Sequence, residues 1–232
     1  MSTKITVTHE RVDDLPAIIT HLKKMRVAEF LDNHFPPHGH WQGWSLGGTT
    51  VVWLAFILSE GDHRLSRVEP WVKAHQRTLS RCLGRQVKPR DLSDDRLATT
   101  RDSLCVADRW VAFERALNQS VLRVYDLQGR RVHVDTTTAA AYVTPEGMFQ
   151  LGHSKAHRPD LPQVKIAMSV LAPLGLPLTT TVVAGQTADD PLSLPEIAKV
   201  RPIARTTGLT YVGDCKMAAI GTRAEKIGRA HV

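Results

Sequence analysis

Two aspartates stand in matching settings. Asp135 closes the run Arg131-Val132-His133-Val134 and Asp214 closes Leu209 to Gly213, so each carboxylate ends a short apolar segment and precedes small or polar residues. If those segments are strands lying as parallel neighbours, both carboxylates emerge at one sheet edge, where open α/β sheets place their sites. Paired hard oxygen ligands suit Mg²⁺ (or Mn²⁺), which keeps several waters and binds one or two carboxylates together with substrate phosphates. A pair of such ions, about 3.5–4 Å apart, activates a water or a 3′-hydroxyl and stabilises the leaving oxygen of an in-line displacement at phosphorus. That is the chemistry of nucleases and of DNA strand transfer. The plainer alternative makes each Asp an ordinary strand-end or turn residue, as most such aspartates are.

Other side chains fit the same chemistry as auxiliaries. His153, Lys155, His157 and Arg158 form a basic loop after the first strand, suited either to the phosphates of bound DNA or to a solvated surface. Lys216 and Arg223 follow Asp214 and offer phosphate contacts or the wet face of a helix. His34, His38 and His40 with Cys82 match no zinc spacing and read as an exposed loop. The five tryptophans, at 41, 44, 53, 71 and 110, read as packing residues before base-stacking platforms. A net charge of +7 favours a polyanionic partner, since cations that neutralise phosphates release condensed counterions.

The elements that must position these groups change character along the chain. In the first half, Leu15, Ile18, Ile19 and Leu22 recur at helical spacing after Asp13-Asp14, and Val27, Phe30 and Leu31 continue the pattern. Phe35 to Gly43 breaks it, Thr49 to Ser59 reads as a core helix stopped near Gly61, and Pro70 divides or interrupts Leu65 to Leu83. A capped start at Ser93-Asp94-Asp95 and a long amphipathic helix from about Asp108 to Asp126 follow. Beyond Gly129 the texture is strand (Arg131–Asp135), strand (Val164–Leu171), strand (Leu178–Val183), helix (Pro195–Thr206), strand (Leu209–Val212). The fold class expected is mixed, an all-α N-terminal domain followed by an α/β domain, with the boundary near Leu127 to Arg130. No apolar run approaches the roughly 18 residues of a membrane span. The start lacks the pattern of a secretory signal, so a cytoplasmic protein is expected, with Cys82, Cys105 and Cys215 as reduced thiols.

Five motifs carry a resemblance when taken in order. They are Val134-Asp135-Thr136-Thr137, the run from Gly152-His153-Ser154-Lys155 to Pro162-Gln163, Gly175-Leu176-Pro177-Leu178, Gly185-Gln186-Thr187-Ala188-Asp189, and Val212-Gly213-Asp214-Cys215-Lys216-Met217. From Val12 to Lys226 the sequence resembles the DDE transposases of bacterial insertion sequences, in the branch with a helical N-terminal domain of unknown function ahead of an RNase H-like core. The resemblance implies a helical domain over 1–127, a partial RNase H-like catalytic domain over 128–226, and Asp135 and Asp214 as the first two acids of the triad. These would be metal ligands on the first and fourth strands; Lys155, His157, Arg158 and Lys216 are expected on DNA from their charge and position. It further implies DNA cleavage and strand transfer on transposon ends and target, by a homo-oligomer when full-length. Two positions depart from the family: an acidic residue is usual where Ala156 stands and Asn where Gln186 stands.

The third acid, a glutamate, belongs well downstream, and Glu225 follows Asp214 by only 11 residues (225 − 214), too soon for that role. Ile227-Gly228-Arg229-Ala230-His231-Val232 is what ATCGGAAGAGCACACGTC encodes, which looks like a sequencing-adapter read, so 227–232 is expected to be an artefactual tail, the alternative being a natural tail of small and basic residues. The expectation is a C-terminally truncated, inactive transposase fragment. The alternative is a non-catalytic DNA-binding or inhibitory fragment, and a third reading is a different RNase H-like nuclease.

Overall fold

The computed structural model describes residues 7, 9–37, 39, 41–155, 157–204 and 208–213. The chain divides into two compact units, Met1–Phe113 and Glu114–Val232. Among the described residues there are eight α-helices and one four-stranded sheet, a mixed α/β chain, and no helix is long and apolar enough to cross a membrane.

Unit 1 is helical. Its first helix, α1 (Leu15–Lys24), buries Leu15, Ile19 and Leu22 as one stripe, and Pro16 sits in its first turn, where a missing N–H costs nothing. Asp14 holds the N-cap position, but its carboxylate accepts from the Ser59 hydroxyl (2.6 Å) instead of capping. Arg26, with φ at 56°, breaks the helix before α2 (Val27–His34) resumes the apolar pattern. Next comes α3 (Leu46–Glu60), the core helix, which starts where the Ser45 hydroxyl accepts the Gly48 N–H at 3.1 Å. Gly61, at φ 61°, ends it. A Cβ at Gly47 would stand 2.1 Å from the Ala28 carbonyl, so this glycine lets two helix backbones touch.

Pro70 does not divide the next stretch where a proline inside a helical pattern would. It occupies the first turn of α4 (Val68–Ala74), and the break comes at His75, before α5 (Gln76–Leu83). After these lie α6 (Asp94–Leu104) and the long α7 (Ala107–Val124), whose residues from Glu114 onward belong to unit 2. The core joins Ile19, Val52, Phe56, Val72, Leu79, Leu92 and Leu97, with Trp71 set edge-on to Phe56 at 5.4 Å.

Unit 2 is built on a sheet. Strands β1 (Arg131–Ala140), β2 (Gln163–Ala172) and β3 (Leu176–Ala184) form an antiparallel meander, then α8 (Ser193–Ala204) leads to β4 (Thr210–Val212). The order is β3-β2-β1-β4, with β4 parallel to β1. Alternation in β1 sends Val132 and Val134 inward, where they meet Leu171, Leu178 and the α8 residues Ile197, Val200 and Ile203. The outer edge of β3 is covered, because Asn118 donates to the Leu178 carbonyl (2.8 Å) and Glu114 accepts the Thr180 N–H.

One sequence expectation is corrected here. Asp135 does not end its strand: β1 runs on to Ala140, because Thr136, Thr137 and Thr138 are β-branched and keep pairing with Ala167, Ile166 and Lys165 on β2.

Candidate active site

Asp135 lies on the face of β1 opposite Val132 and Val134, so the pleat turns its carboxylate outward, with 79% of the side chain exposed. Across the ladder its partner is Met168, itself exposed. Asp135 Oδ1 accepts the N–H of Thr136 (2.7 Å) and faces the Lys155 ammonium at 3.5 Å. Lys155 also donates to the Thr136 carbonyl and, at 3.1 Å, to the Thr136 hydroxyl oxygen. One lysine thus holds two successive β1 residues, one on each face of the sheet.

Through Thr136 the contact continues inward. The Thr136 hydroxyl donates to Asp189 Oδ1 (3.2 Å), and the same oxygen pairs with the Lys165 ammonium at 2.7 Å. Lys165 and Asp189 keep only 6% and 10% of their side-chain exposure, and Lys165 donates as well to the Thr187 carbonyl. Burying an ion pair is costly unless its remaining hydrogen bonds are met, as they are here. Three of the five sequence motifs, around Asp135, Lys155 and Asp189, therefore meet at one place. Lys165 and Asp189 were not singled out as site residues, yet a signal existed: a lysine inside the apolar run Val164 to Leu171 has to find a buried partner.

The loop bearing Lys155 is fixed by close backbone packing. A Cβ at Gly152 would lie 2.4 Å from the Gly185 carbonyl, and one at Gly185 would lie 2.1 Å from the Gln163 carbonyl, so only glycine fits at either position. Gln163 adds a donated hydrogen bond to the His153 carbonyl at 2.8 Å.

The expected phosphate contacts are engaged to different degrees. Arg158 reaches Asp160 through two hydrogen bonds (2.8 and 2.6 Å) and donates to the Tyr142 hydroxyl (3.2 Å). These hold its guanidinium pKa above, and the Asp160 carboxyl below, their ordinary ranges. His157 is exposed in a turn with φ at 56°. Asp214 and Lys216 lie outside the described residues, as do Arg223, Glu225 and the 227–232 tail. Of His34, His38, His40 and Cys82, only His34 and Cys82 are described, and the His34 ring is bonded to the Phe30 carbonyl (2.8 Å).

The parallel pairing of β4 with β1 sets Arg131 opposite Thr210, Val132 opposite Tyr211 and His133 opposite Val212. In the sequence Asp135 comes two residues after His133 and Asp214 two after Val212, so the count from the last recorded pair is the same on both strands. As a donor, the exposed Asp135 carboxylate fits a hard divalent cation, with Lys155 the one ammonium facing it among the described residues. Among the described residues no three His, Cys, Asp or Glu side chains are grouped to hold a metal.

No protein-family model, curated protein or solved structure matches the chain.

Proposed function

We propose that the chain carries part of a DNA transposase of the DDE type, whose chemistry is cleavage and strand transfer by two-metal phosphoryl transfer at Asp135 and Asp214. The observation that carries this reading is the parallel β1–β4 pair, with the two aspartates equally spaced beyond its last recorded partners. The order β1, β2, β3, α8, β4 and the inner place of β1, which carries Asp135, support an RNase H-like sheet, in which Asp214 would follow the fourth strand. In this reading Asp135 and Asp214 would hold Mg²⁺ or Mn²⁺, which when bound would supply an activated hydroxyl and charge neutralisation at the leaving oxygen. Lys155 positions the Asp135 carboxylate through their 3.5 Å contact, and substrate phosphates would be met by Lys155, His157, Arg158 and Lys216. Homo-oligomerisation on DNA ends belongs to the same proposal.

The test is Mg²⁺-dependent cutting and joining of DNA bearing the element's ends, in a reading frame carrying the downstream glutamate that the resemblance implies. Asp135→Asn and Asp214→Asn are expected to abolish cutting while sparing DNA binding. Cutting that survives either substitution contradicts the assignment, and cutting without joining favours a plain nuclease. A non-catalytic DNA-binding role is the second reading, favoured by the cationic surface described next.

A further inference from the structure

The basic residues of unit 1 are unevenly partnered. Arg26, Arg64 and Arg101 each pair with an acid close by in sequence, Glu29, Asp62 and Asp102. Arg77, Arg81, Arg85, Lys88 and Arg90 do not: the stretch from Arg77 to Arg90 contains no Asp or Glu. All five are exposed, and none has an ion-pair partner among the described residues.

Their carriers are ordered. Arg77 and Arg81 are four apart on α5, one face of the helix, and about 6 Å apart along its axis at ~1.5 Å per residue. Arg85 stacks over the Trp44 ring at 5.0 Å and donates to the Gly43 carbonyl (3.2 Å), so its guanidinium is held in advance. Lys88 and Arg90 flank Pro89, which opens a short 3-10 turn. A groove of about 840 Å³ runs beside α5, lined by Arg77, Arg81, Gln76 and Gln86. Its acid, Glu10, accepts the N–H groups of Arg77 (3.1 Å) and Thr78 (2.6 Å), which directs that carboxylate to the helix backbone.

The chemistry of this surface selects among polyanions. A membrane-binding or protein-binding face needs several apolar or aromatic anchors; none of the exposed large hydrophobic residues lies between 77 and 90, and the groove adds a single one, Val12. Spaced cations without anchors suit a repeating line of phosphates, which is contacted irrespective of base sequence.

We infer that Arg77–Arg90 is a sequence-independent contact surface for the phosphate backbone of duplex DNA, carried by unit 1 and separate from the Asp135 site. The choice of DNA rests on the transposase reading; the charge arrangement does not. The test is fluorescence anisotropy of the full chain on a duplex of arbitrary sequence over about 50 to 200 mM salt. Each phosphate-bound cation contributes close to one to the slope of log affinity against log salt, so Arg77→Ala/Arg81→Ala is expected to lower the slope by about two. Arg77→Lys/Arg81→Lys is expected to restore it, and unchanged circular dichroism certifies the fold of each variant. An unchanged slope in the alanine pair, a lysine pair as impaired as the alanine pair, or tighter binding to phosphatidylserine vesicles than to DNA overturns the inference. Arg101→Ala, in the same unit but with its charge already spent on Asp102, is expected to leave the slope unchanged. Failure of catalysis with this slope effect intact therefore counts against the Asp135 site alone, and loss of the slope effect counts against this surface alone.

Discussion

The loop 153–158 and the segment 77–90 carry similar cations with opposite engagements. In the loop, Lys155 faces Asp135 and Arg158 is clasped by Asp160; in the segment, five exposed cations have no ion-pair partner among the described residues. A basic run in the sequence therefore does not declare whether its charge is available. A cation spent on a neighbouring carboxylate positions that carboxylate, whereas one left unpaired adds to the field that draws in phosphates. Exposed pairs such as Lys155 with Asp135 contribute little stability, so their value to the protein is geometric.

The sharpest contrast lies one layer down, where Lys165 and Asp189 are paired in the interior. Asp189→Ala leaves a buried ammonium uncompensated and is expected to cost about 3–5 kcal/mol, read as a lowered melting temperature. Lys165→Met with Asp189→Leu is expected to recover most of that loss; if it does not, the pair does more than neutralise itself.

Second in size is Glu114, whose carboxyl is pushed up to about 7 by burial and by the Glu196 charge, against the hydrogen bonds from Thr180 and the charge of Lys199. An acid held more protonated when folded than its ordinary 4.5 stabilises fully below that value and loses this contribution as pH rises through about 7. Chemical denaturation is thus expected to show stability falling by about 1–2 kcal/mol across that window, after allowing for the solvent that still reaches the group. Glu114→Gln is expected to flatten the profile.

Smaller effects set the two basic regions directly against each other. Asp160→Asn releases Arg158 and is expected to steepen the salt dependence of DNA binding by up to about one; no change there places the loop away from DNA. Lys155→Ala is expected to alter stability by less than about 1 kcal/mol, so a larger loss on thermal melting contradicts its treatment as a positioning residue.

Much of the fold was legible because periodicity reports burial. The helices around Leu15, Thr49 and Asp108 and the order strand, strand, strand, helix, strand all follow from where apolar side chains recur. Positions decided by tertiary partners were not. Thr136 to Thr138 looked like the polar end of a strand, and only the ladder to β2 carries β1 on to Ala140. Pro70 looked like a break, and its place in a first turn was set by where the preceding 3-10 turn, Leu65–Arg67, ends. At the site, Asp135 and Lys155 were visible as residue types, while the bonds through Thr136 to Asp189 and Lys165 join segments up to 53 residues apart, which no local pattern records.

The central claim is that Asp135 is a metal ligand. Electron paramagnetic resonance of Mn²⁺ titrated into the chain with duplex DNA present, comparing the parent with Asp135→Asn, tests it most directly. The account predicts bound Mn²⁺ in the parent and at least a tenfold weaker affinity in the variant, with DNA binding unchanged. Equal Mn²⁺ affinity in the two proteins contradicts it.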